Sequence, residues 1–288
     1  MQDIRIAAVQ MNAACGRIEA NLARHEALAR LAARRGAELV CFPELSVTGH
    51  YADKAVWAHS EPVPGGPSCR RLEALAKNLG VVISAGVAER RNNLCYNTQF
   101  LVGPGGFIGK FSKAHMSRDE YFYFRAGGAF PVFDIGRCVV GIQICHDIAL
   151  PEVTRILALN GAEVVLAPHA SRCGPTKARE EPDRVRRQIT FFRNVGWARS
   201  NDNGVFMVMN NQAGDAGKHL GLDIAHGGGM VVTGPDGEVL AKSRSRTFRE
   251  EVLTVTLEAQ RFDAAHTRAC HNLQTRRPEI YGRLVEAD

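Results

Sequence analysis

Runs of apolar residues alternate with amphipathic stretches along most of the chain. The segment Ile4 to Met11 first alternates and then becomes apolar, which predicts a strand that is buried on both faces. The next stretch carries apolar residues at helical spacing and stops at Gly36, a residue type that commonly follows a helix. The order recurs, and the pattern predicts further strands at 39–42, 81–88, 164–167 and 205–209, and helices at 18–32, at 68–78, after Pro151 and at 183–199.

Two tetrapeptides rich in glycine interrupt this alternation. Gly103 to Gly106 and Gly234 to Gly237 each lie between two short apolar runs, and both are turn sequences that predict β-hairpins. Neither has the spacing of a phosphate-binding glycine loop, and neither opens a helix, so nucleotide binding is not indicated. Helical crossovers combined with hairpins favour an α/β protein with mixed sheets and helices outside.

Composition supports a packed globular protein. The 288 residues are 45% hydrophobic and 23% charged, and no linker-like tract divides them, so we predict a single domain over residues 1–288. No run approaches the roughly 18 consecutive apolar residues of a membrane span, and no leader sequence precedes Ile4. We therefore expect a cytoplasmic protein with no membrane contact.

Charge and cysteine usage argue against a nucleic-acid-binding protein, a disulfide-bonded protein and a zinc enzyme. The net charge of +6 is spread along the chain, and its densest basic stretches stand beside no RNA-binding aromatic motif or zinc-finger spacing, so no nucleic-acid partner is expected. The eight cysteines include no C-x-x-C pair, which favours reduced thiols. His59-Ser60-Glu61 imitates the start of a zinc deaminase motif, but without a C-x-x-C partner we expect no metal site.

Three reactive side chains follow predicted strands. Cys145 lies where an apolar run passes into a turn, Glu44 follows a strand and its stopping proline, and Lys113 follows the first hairpin. Open α/β sheets carry their sites at strand ends, and a lysine near a thiol lowers the pKa of that thiol and donates to an oxyanion. Taken singly, each residue also fits a core or surface role.

In this order and with these neighbours, the three residues resemble the carbon-nitrogen hydrolase (nitrilase-like amidase) superfamily. Several ordered motifs are more specific than any single short pattern, and together they span roughly residues 4–257. The matching segments are Phe42 to Leu45 with Thr48-Gly49, Tyr96 to Thr98 with Gly109-Lys110 and Lys113 to His115, Glu120 with Tyr123-Phe124 and Gly127, Ile144 to Asp147 with Pro151-Glu152 and Gly161 to Glu163, and Arg199 to Asn203 with Asn210.

The resemblance implies an α-β-β-α sandwich, in which two mixed sheets pack face to face with helices outside. It implies no cofactor and association into a homodimer or a larger homo-oligomer through the helical face. Residues 258–288 are then expected to form a C-terminal extension that packs on a partner subunit.

The resemblance also implies roles for the reactive residues. Cys145 would attack the substrate carbonyl, Glu44 would act as general base, and Lys113 with the backbone N–H of His146 would bind the oxyanion. Glu120 would orient Lys113 or the substrate, although its neighbour Asp119 makes the alignment ambiguous by one residue.

The expected activity is hydrolysis of a small amide or N-carbamoyl compound through a cysteine thioester. Asp147, two residues after the thiol, resembles the form found in amide-cleaving branches. Nitrile hydrolysis and a non-hydrolytic, acyl-transferring or binding role are the alternatives. His146, Tyr51 and His169 are the candidate substrate-binding residues, whereas a structural role is favoured for His50.

Overall fold

The computed structural model describes residues 1–50, 53–172, 182–219, 222–244, 249–269 and 271–286. Its helices are α1 (Ile18–Arg34), α2 (Ala55–His59), α3 (Pro67–Leu79), α4 (Pro151–Leu159), α5 (Pro182–Asn203), α6 (Ala259–His266) and α7 (Asn272–Thr275). None of the helices within these ranges has the length and apolarity to cross a membrane.

Two six-stranded mixed sheets form the centre of the fold. The first has the order β14-β1-β2-β3-β4-β5, with β1, β2 and β3 parallel and the rest antiparallel. Its strands are β1 (Ile4–Gln10), β2 (Leu39–Cys41), β3 (Val82–Arg91), β4 (Leu94–Gly103), β5 (Gly106–Ser112) and β14 (Glu251–Leu257).

The second sheet repeats this plan. Its order is β13-β12-β9-β8-β7-β6, and β7, β8 and β9 are its parallel strands. Its strands are β6 (Val132–Asp134), β7 (Val139–Ile142), β8 (Val164–His169), β9 (Phe206–Asn211), β12 (Met230–Thr233) and β13 (Val239–Lys242). A separate two-stranded sheet pairs β10 (Ala213–His219) with β11 (Leu222–Gly227).

The fold has four layers, helices, sheet, sheet and helices, which pack through side chains that alternate along the strands. In β1, Ile4 and Ile6 belong to an apolar cluster that also holds Val140 and Leu166 of the second sheet, whereas Ala7 and Val9 belong to a cluster with α1 and α3. The outer face of the second sheet packs in the same way on α4 and α5. Because successive strand residues point to opposite faces, strands covered on both sides are apolar throughout. The fold is therefore the expected α-β-β-α sandwich.

The two sheets are also joined by a buried amide. The Asn210 side chain, at the carboxyl end of β9, donates to the backbone oxygens of Val9 at 2.8 Å and Cys41 at 2.9 Å. This link fixes the end of β2, from which the chain continues to Glu44. Gly86 of β3 permits that continuation, because a Cβ on it would lie 2.3 Å from the backbone nitrogen of Leu45.

The predicted helices and strands are confirmed, although several of them begin or end a few residues from the predicted positions. Both glycine-rich turns connect hairpin strands, β4 to β5 and β12 to β13. Helix α5 continues to Asn203, four residues past its predicted end. The sequence pattern did not predict the β10–β11 pair, since Gly214 and Gly217 break the apolar alternation in β10.

Candidate active site

Glu44, Lys113 and Glu120 meet at the ends of two strands of the first sheet. Glu44 lies three residues past β2, Lys113 directly follows β5, and Glu120 lies in a 3₁₀ turn over Arg118–Phe122. Lys113 Nζ donates to Glu44 Oε1 at 2.8 Å and to Oε1 and Oε2 of Glu120 at 3.0 and 2.8 Å. Each of the three residues is at most 1% exposed.

The opposite charges of these side chains outweigh the effect of burial. Burial alone would lower the pKa of Lys113 and raise the pKa of either carboxyl. Instead, the two carboxylates raise the pKa of Lys113. The Lys113 charge lowers the pKa of Glu44, and a hydrogen bond from His50 together with Lys113 lowers the pKa of Glu120. All three groups are therefore ionised at neutral pH.

Both oxygens of Glu44 are held by further donors. Asn97 Nδ2, from β4, donates to Glu44 Oε1 at 2.8 Å and to Glu120 Oε1 at 3.2 Å. The backbone N–H of Ala170, just past β8, donates to Glu44 Oε2 at 2.7 Å. Gln212 Nε2 donates to the Glu44 backbone oxygen at 2.7 Å. Donors from both sheets thus fix the carboxylate in one orientation.

Ser117 fixes Glu120. The backbone N–H and the hydroxyl of Ser117 donate to Glu120 Oε2 at 2.9 and 2.8 Å, which caps the 3₁₀ turn. Glu120, rather than its neighbour Asp119, is therefore the acid that binds Lys113.

Cys145 begins a second 3₁₀ turn in a strained backbone conformation. It lies three residues past β7, and its φ of 49° falls in the left-handed region that residues other than glycine seldom adopt. The Asp147 carboxylate holds this turn, because its Oδ2 accepts the Ile144 N–H at 2.9 Å and its Oδ1 accepts the His115 N–H at 2.8 Å. Strain supported in this way is common at functional sites.

The surroundings of Cys145 keep its thiol protonated. Burial raises the pKa of Cys145 and the negative charge of Glu44 adds to that effect, whereas the charge of Lys113 and the backbone N–H of Ala170 oppose it. Ala170, whose N–H binds the Glu44 carboxylate, lines the same cavity as Cys145, so the carboxylate and the thiol lie in one site. The resting site pairs a protonated thiol with an ionised carboxylate.

A cavity of about 300 Å³ opens onto Cys145. Such a volume admits a small organic molecule. The described residues that line it are His50, Ser117, Arg118, Asp119, Cys145, Ala170, Ser171, Arg172 and Gln188.

The three candidate substrate-binding residues differ in their positions. The His146 side chain is exposed on the turn that follows Cys145. His169 is 2% exposed, packs against Phe192 and contacts the Ala167 backbone oxygen through Nδ1 at 2.8 Å. Neither is among the described residues that line the cavity. Tyr51 lies outside the described residues.

Three polar residues of the site were not predicted from the sequence. Asn97 lies in the strand β4, within the Tyr96 to Thr98 segment that carries part of the resemblance, and that position was a usable signal. His50, favoured as structural, lines the cavity, and its Nε2 lies 3.4 Å from Glu120 Oε1. Arg172 also lines the cavity, and nothing in the sequence around it distinguished it from a surface arginine.

Glu44, His50 and Glu120 present atoms that could bind a cation. Their ligand atoms all lie within 4.8 Å of one another. The Lys113 ammonium already contacts both carboxylates at 2.8 Å. It supplies the positive charge that a metal ion would bring to these acids.

Comparisons with known proteins agree with the fold. The family model for carbon-nitrogen hydrolase matches residues 5–267. A curated N-carbamoylputrescine amidase from Solanum lycopersicum is 30% identical over 298 aligned positions, covering 99% of this chain and 96% of that protein. A Pyrococcus abyssi protein named nitrilase is 38% identical over 186 positions, covering 62% and 71%. The crystal structure of a carbon-nitrogen hydrolase from Helicobacter pylori G27 has a TM-score of 0.87 at 24% identity and covers 99% of both chains.

Proposed function

The chain belongs to the carbon-nitrogen hydrolase family, and we propose that it hydrolyses the C–N bond of small amides or N-carbamoyl compounds with Cys145 as nucleophile, Glu44 as general base and Lys113 as oxyanion donor. One observation carries this proposal. A buried, ionised carboxylate, held by the Ala170 N–H, lies near enough to a protonated thiol for its charge to raise the pKa of that thiol. This is the protonation state from which base-assisted attack begins.

The first step forms a bond between sulfur and the substrate carbonyl carbon. The thiol proton passes to Glu44 as Sγ attacks, and the electron pair of the carbonyl π bond moves onto oxygen. The surrounding donors keep Glu44 oriented but also make it a weak base, so we expect proton transfer to accompany attack rather than precede it. The raised thiol pKa has the same consequence.

Lys113 and the backbone N–H of His146 are the proposed oxyanion donors. A lysine ammonium has three N–H groups, and Lys113 contacts Glu44 Oε1 and both carboxylate oxygens of Glu120, so we propose that one N–H turns from Glu120 to the substrate oxygen when the substrate binds. Loss of one such donor typically raises the barrier by about 2.7 to 4 kcal/mol. Glu120 acts through Lys113 and is proposed as a positioning residue.

Collapse of the tetrahedral intermediate breaks the C–N bond. Glu44 returns its proton to the departing nitrogen, which leaves as ammonia or an amine, and the acyl group remains on Cys145 as a thioester. Water then gives a proton to Glu44 and attacks the thioester carbon. The thiolate leaves, recovers the proton, and the acid product is released.

Nitrile hydrolysis is the second candidate activity, since one relative that aligns with 62% of the chain is named nitrilase. Ammonia release from a panel of carboxamides, ureido compounds and nitriles tests both. We expect release from at least one carboxamide or ureido compound, its loss in Cys145→Ala, and its retention in the matched variant Cys15→Ser, whose cysteine is also only partly buried. Acyl labelling without ammonia release across the panel would instead favour an acyl-transferring enzyme. A protein that shows neither acyl labelling nor ammonia release would be a binding protein.

We further propose that residues 1–288 form one domain that assembles into a homodimer or a larger homo-oligomer, with 258–288 against a partner subunit. Phe191 and Trp197 on α5 are exposed, as are Ile280, Leu284 and Val285 near the end of the chain. Exposed apolar groups of this number mark contact surfaces. Sedimentation of Trp197→Glu and of a chain ending at 257 tests this proposal, since both changes should lower the molecular mass of the assembly.

A reducing, cytoplasmic setting is also proposed. The described cysteines at 15, 41, 69, 95, 138 and 145 are free thiols. Reduced cysteines persist in such a compartment, and the proposed nucleophile must be one of them. Fractionation of the cells that produce the enzyme tests the location.

A further inference from the structure

Arg172 brings a guanidinium into the cavity that opens onto Cys145. It lies just past β8, where a single β-bridge to His226 of β11 fixes its backbone. We propose that Arg172 binds a carboxylate on the substrate, so that the preferred substrates are amides or N-carbamoyl compounds with an acidic group at their far end. This inference rests on the hydrolase function proposed above.

Contacts with the described residues leave most of the donor capacity of Arg172 unused. Its Nη2 lies 3.2 Å from His50 Nδ1, and its Nη1 lies 3.8 Å from Asp119 Oδ2, too far for a hydrogen bond. Its Nε is buried and has no acceptor within the described part of the chain. An arginine has five N–H groups in a planar fork that matches a carboxylate, so this side chain retains donors for an anionic ligand.

The contact with Arg172 indicates which ring nitrogen of His50 carries the proton. A guanidinium only donates, so His50 Nδ1 must be the acceptor. The ring proton is then on Nε2, which faces Glu120 Oε1 at 3.4 Å. His50 therefore bridges Arg172 and Glu120.

The buried acids near Cys145 and the lining of the cavity carry net charges of opposite sign. The carboxylates of Glu44 and Glu120, which raise the pKa of Cys145, face one ammonium, Lys113, which leaves a net charge of −1. Among the described residues that line the cavity, the guanidiniums of Arg118 and Arg172 face one carboxylate, Asp119, which leaves +1. A substrate with an acidic tail would be drawn into the cavity with its amide toward Cys145 and its carboxylate toward Arg172.

An ammonium tail is the alternative that Asp119 would favour. That carboxylate is 35% exposed, lies 3.8 Å from the Arg172 guanidinium and adjoins Arg118 in the chain. Arg172 partly offsets its charge, and a cationic tail would also meet the guanidiniums of Arg118 and Arg172, which line the same cavity. The net positive charge of the described lining therefore favours a substrate with a carboxylate tail over one with an ammonium tail.

Binding to the Cys145→Ala variant tests this inference without turnover. The probes are 4-ureidobutanoate, butylurea and 4-aminobutylurea, which share a head group and differ in the charge of the tail, together with the corresponding carboxamides. By calorimetry we expect the anionic member of at least one series to bind at least about tenfold tighter than the neutral member, since hydrogen bonds to charged groups contribute about 1.5–3 kcal/mol. The cationic member should bind most weakly.

Adding Arg172→Gln should reduce the preference for the anion to within about twofold while leaving the neutral probe unaffected, and Arg172→Lys should restore part of it. Arg30→Gln, which removes an exposed charge on α1, is the matched control and should leave the preference intact. Equal binding of the three tails, or equal losses for neutral and anionic probes in Arg172→Gln, would overturn the inference. Charge-selective binding by Cys145→Ala, together with neither ammonia release nor acyl labelling by the native enzyme across the whole panel of carboxamides, ureido compounds and nitriles, would instead refute the proposed hydrolase function and leave Arg172 assigned.

Discussion

Lys113 and Glu44 form an ion pair in which Nζ lies 2.8 Å from Oε1 and neither side chain is exposed to solvent. A buried pair of this kind is stable only when its remaining donors and acceptors are also satisfied. Glu120, Asn97 and the Ala170 backbone supply those partners. The polar centre of the site is therefore part of the structural core as well as the proposed catalytic apparatus, and substitutions within it have consequences for both activity and stability.

Replacement of the proposed base tests its role directly. Glu44→Gln keeps the shape and one acceptor for Lys113 but removes the negative charge that accepts the thiol proton. We expect kcat to fall by about 10²- to 10⁴-fold, the range of general acid–base catalysis, with a KM that changes only a few-fold. Steady-state ammonia release measures both parameters. Turnover near that of the native enzyme would remove Glu44 from the mechanism.

Asn97 should control the pH at which Glu44 becomes active. Because a donor to the ionised carboxylate lowers its pKa, Asn97→Ala should raise the pKa of Glu44 and shift the acidic limb of the kcat/KM profile to higher pH. The adjacent Thr98 bonds Glu89 instead, so Thr98→Val is the control and should leave the limb in place. If the acidic limb of the kcat/KM profile stays at the same pH in Asn97→Ala, Asn97 does not lower the pKa of Glu44.

Lys113 should stabilise the fold as well as the transition state. Lys113→Met leaves two buried carboxylates without their cation, and loss of one partner of a buried ion pair costs about 3–5 kcal/mol of unfolding free energy. Adding Glu120→Gln should recover part of this stability without recovering activity, because one unpaired charge is removed while the oxyanion donor is still absent. Urea unfolding measures the change.

Lys77→Met, on the exposed face of α3, is the matched control for that experiment. It should alter the unfolding free energy by no more than about 0.5 kcal/mol. A Lys113→Met variant as stable as the native protein would show that the buried ion pair contributes no net stability.

His25 should make stability depend on pH below neutrality. Its Nδ1 lies 2.7 Å from the Asn21 backbone oxygen and its Nε2 lies 2.9 Å from Ser46 Oγ. Burial lowers its pKa to about 4, compared with an ordinary value of 6.5. The unfolded chain therefore takes up a proton first, so this contribution is complete above pH 6.5 and is lost as the pH falls toward 4, by up to about 3 kcal/mol.

Urea unfolding at pH 7, 6 and 5 measures this dependence. His169, whose pKa burial also lowers to about 4, adds a slope of the same sign. His25→Gln should flatten the slope by about 1.4 kcal/mol per pH unit below pH 6. An unchanged slope in that variant would mean that His25 does not carry the proton linkage.

Local patterns predicted the elements but only part of the site. Strands such as β1 and β8 are apolar on both faces, so their spacing identified them, and Glu44, Lys113 and Cys145 were identifiable as reactive groups that follow strands. Asn97 and Arg172 act through contacts with residues more than 20 positions away, at Glu120 and His50 respectively. Such pairings depend on how the two sheets close on each other, which no local pattern specifies.

The strained turn at Cys145 also could not be predicted from the sequence pattern. A positive φ is predictable where glycine occupies the position, but Cys145 adopts it in a turn that Asp147 ties to the backbone N–H groups of Ile144 and of the distant His115. Strain of this kind is a property of the assembled site.

The acyl-enzyme is the most direct test of the account. The native enzyme, mixed with a substrate that it hydrolyses and quenched in acid within one turnover, should gain the mass of the acyl group, and peptide mapping should locate that mass on Cys145. The adduct should be absent in Cys145→Ala and present in Cys15→Ser. Hydrolysis that persists in Cys145→Ala, or an acyl group found on another residue, would contradict the claim that Cys145 is the nucleophile.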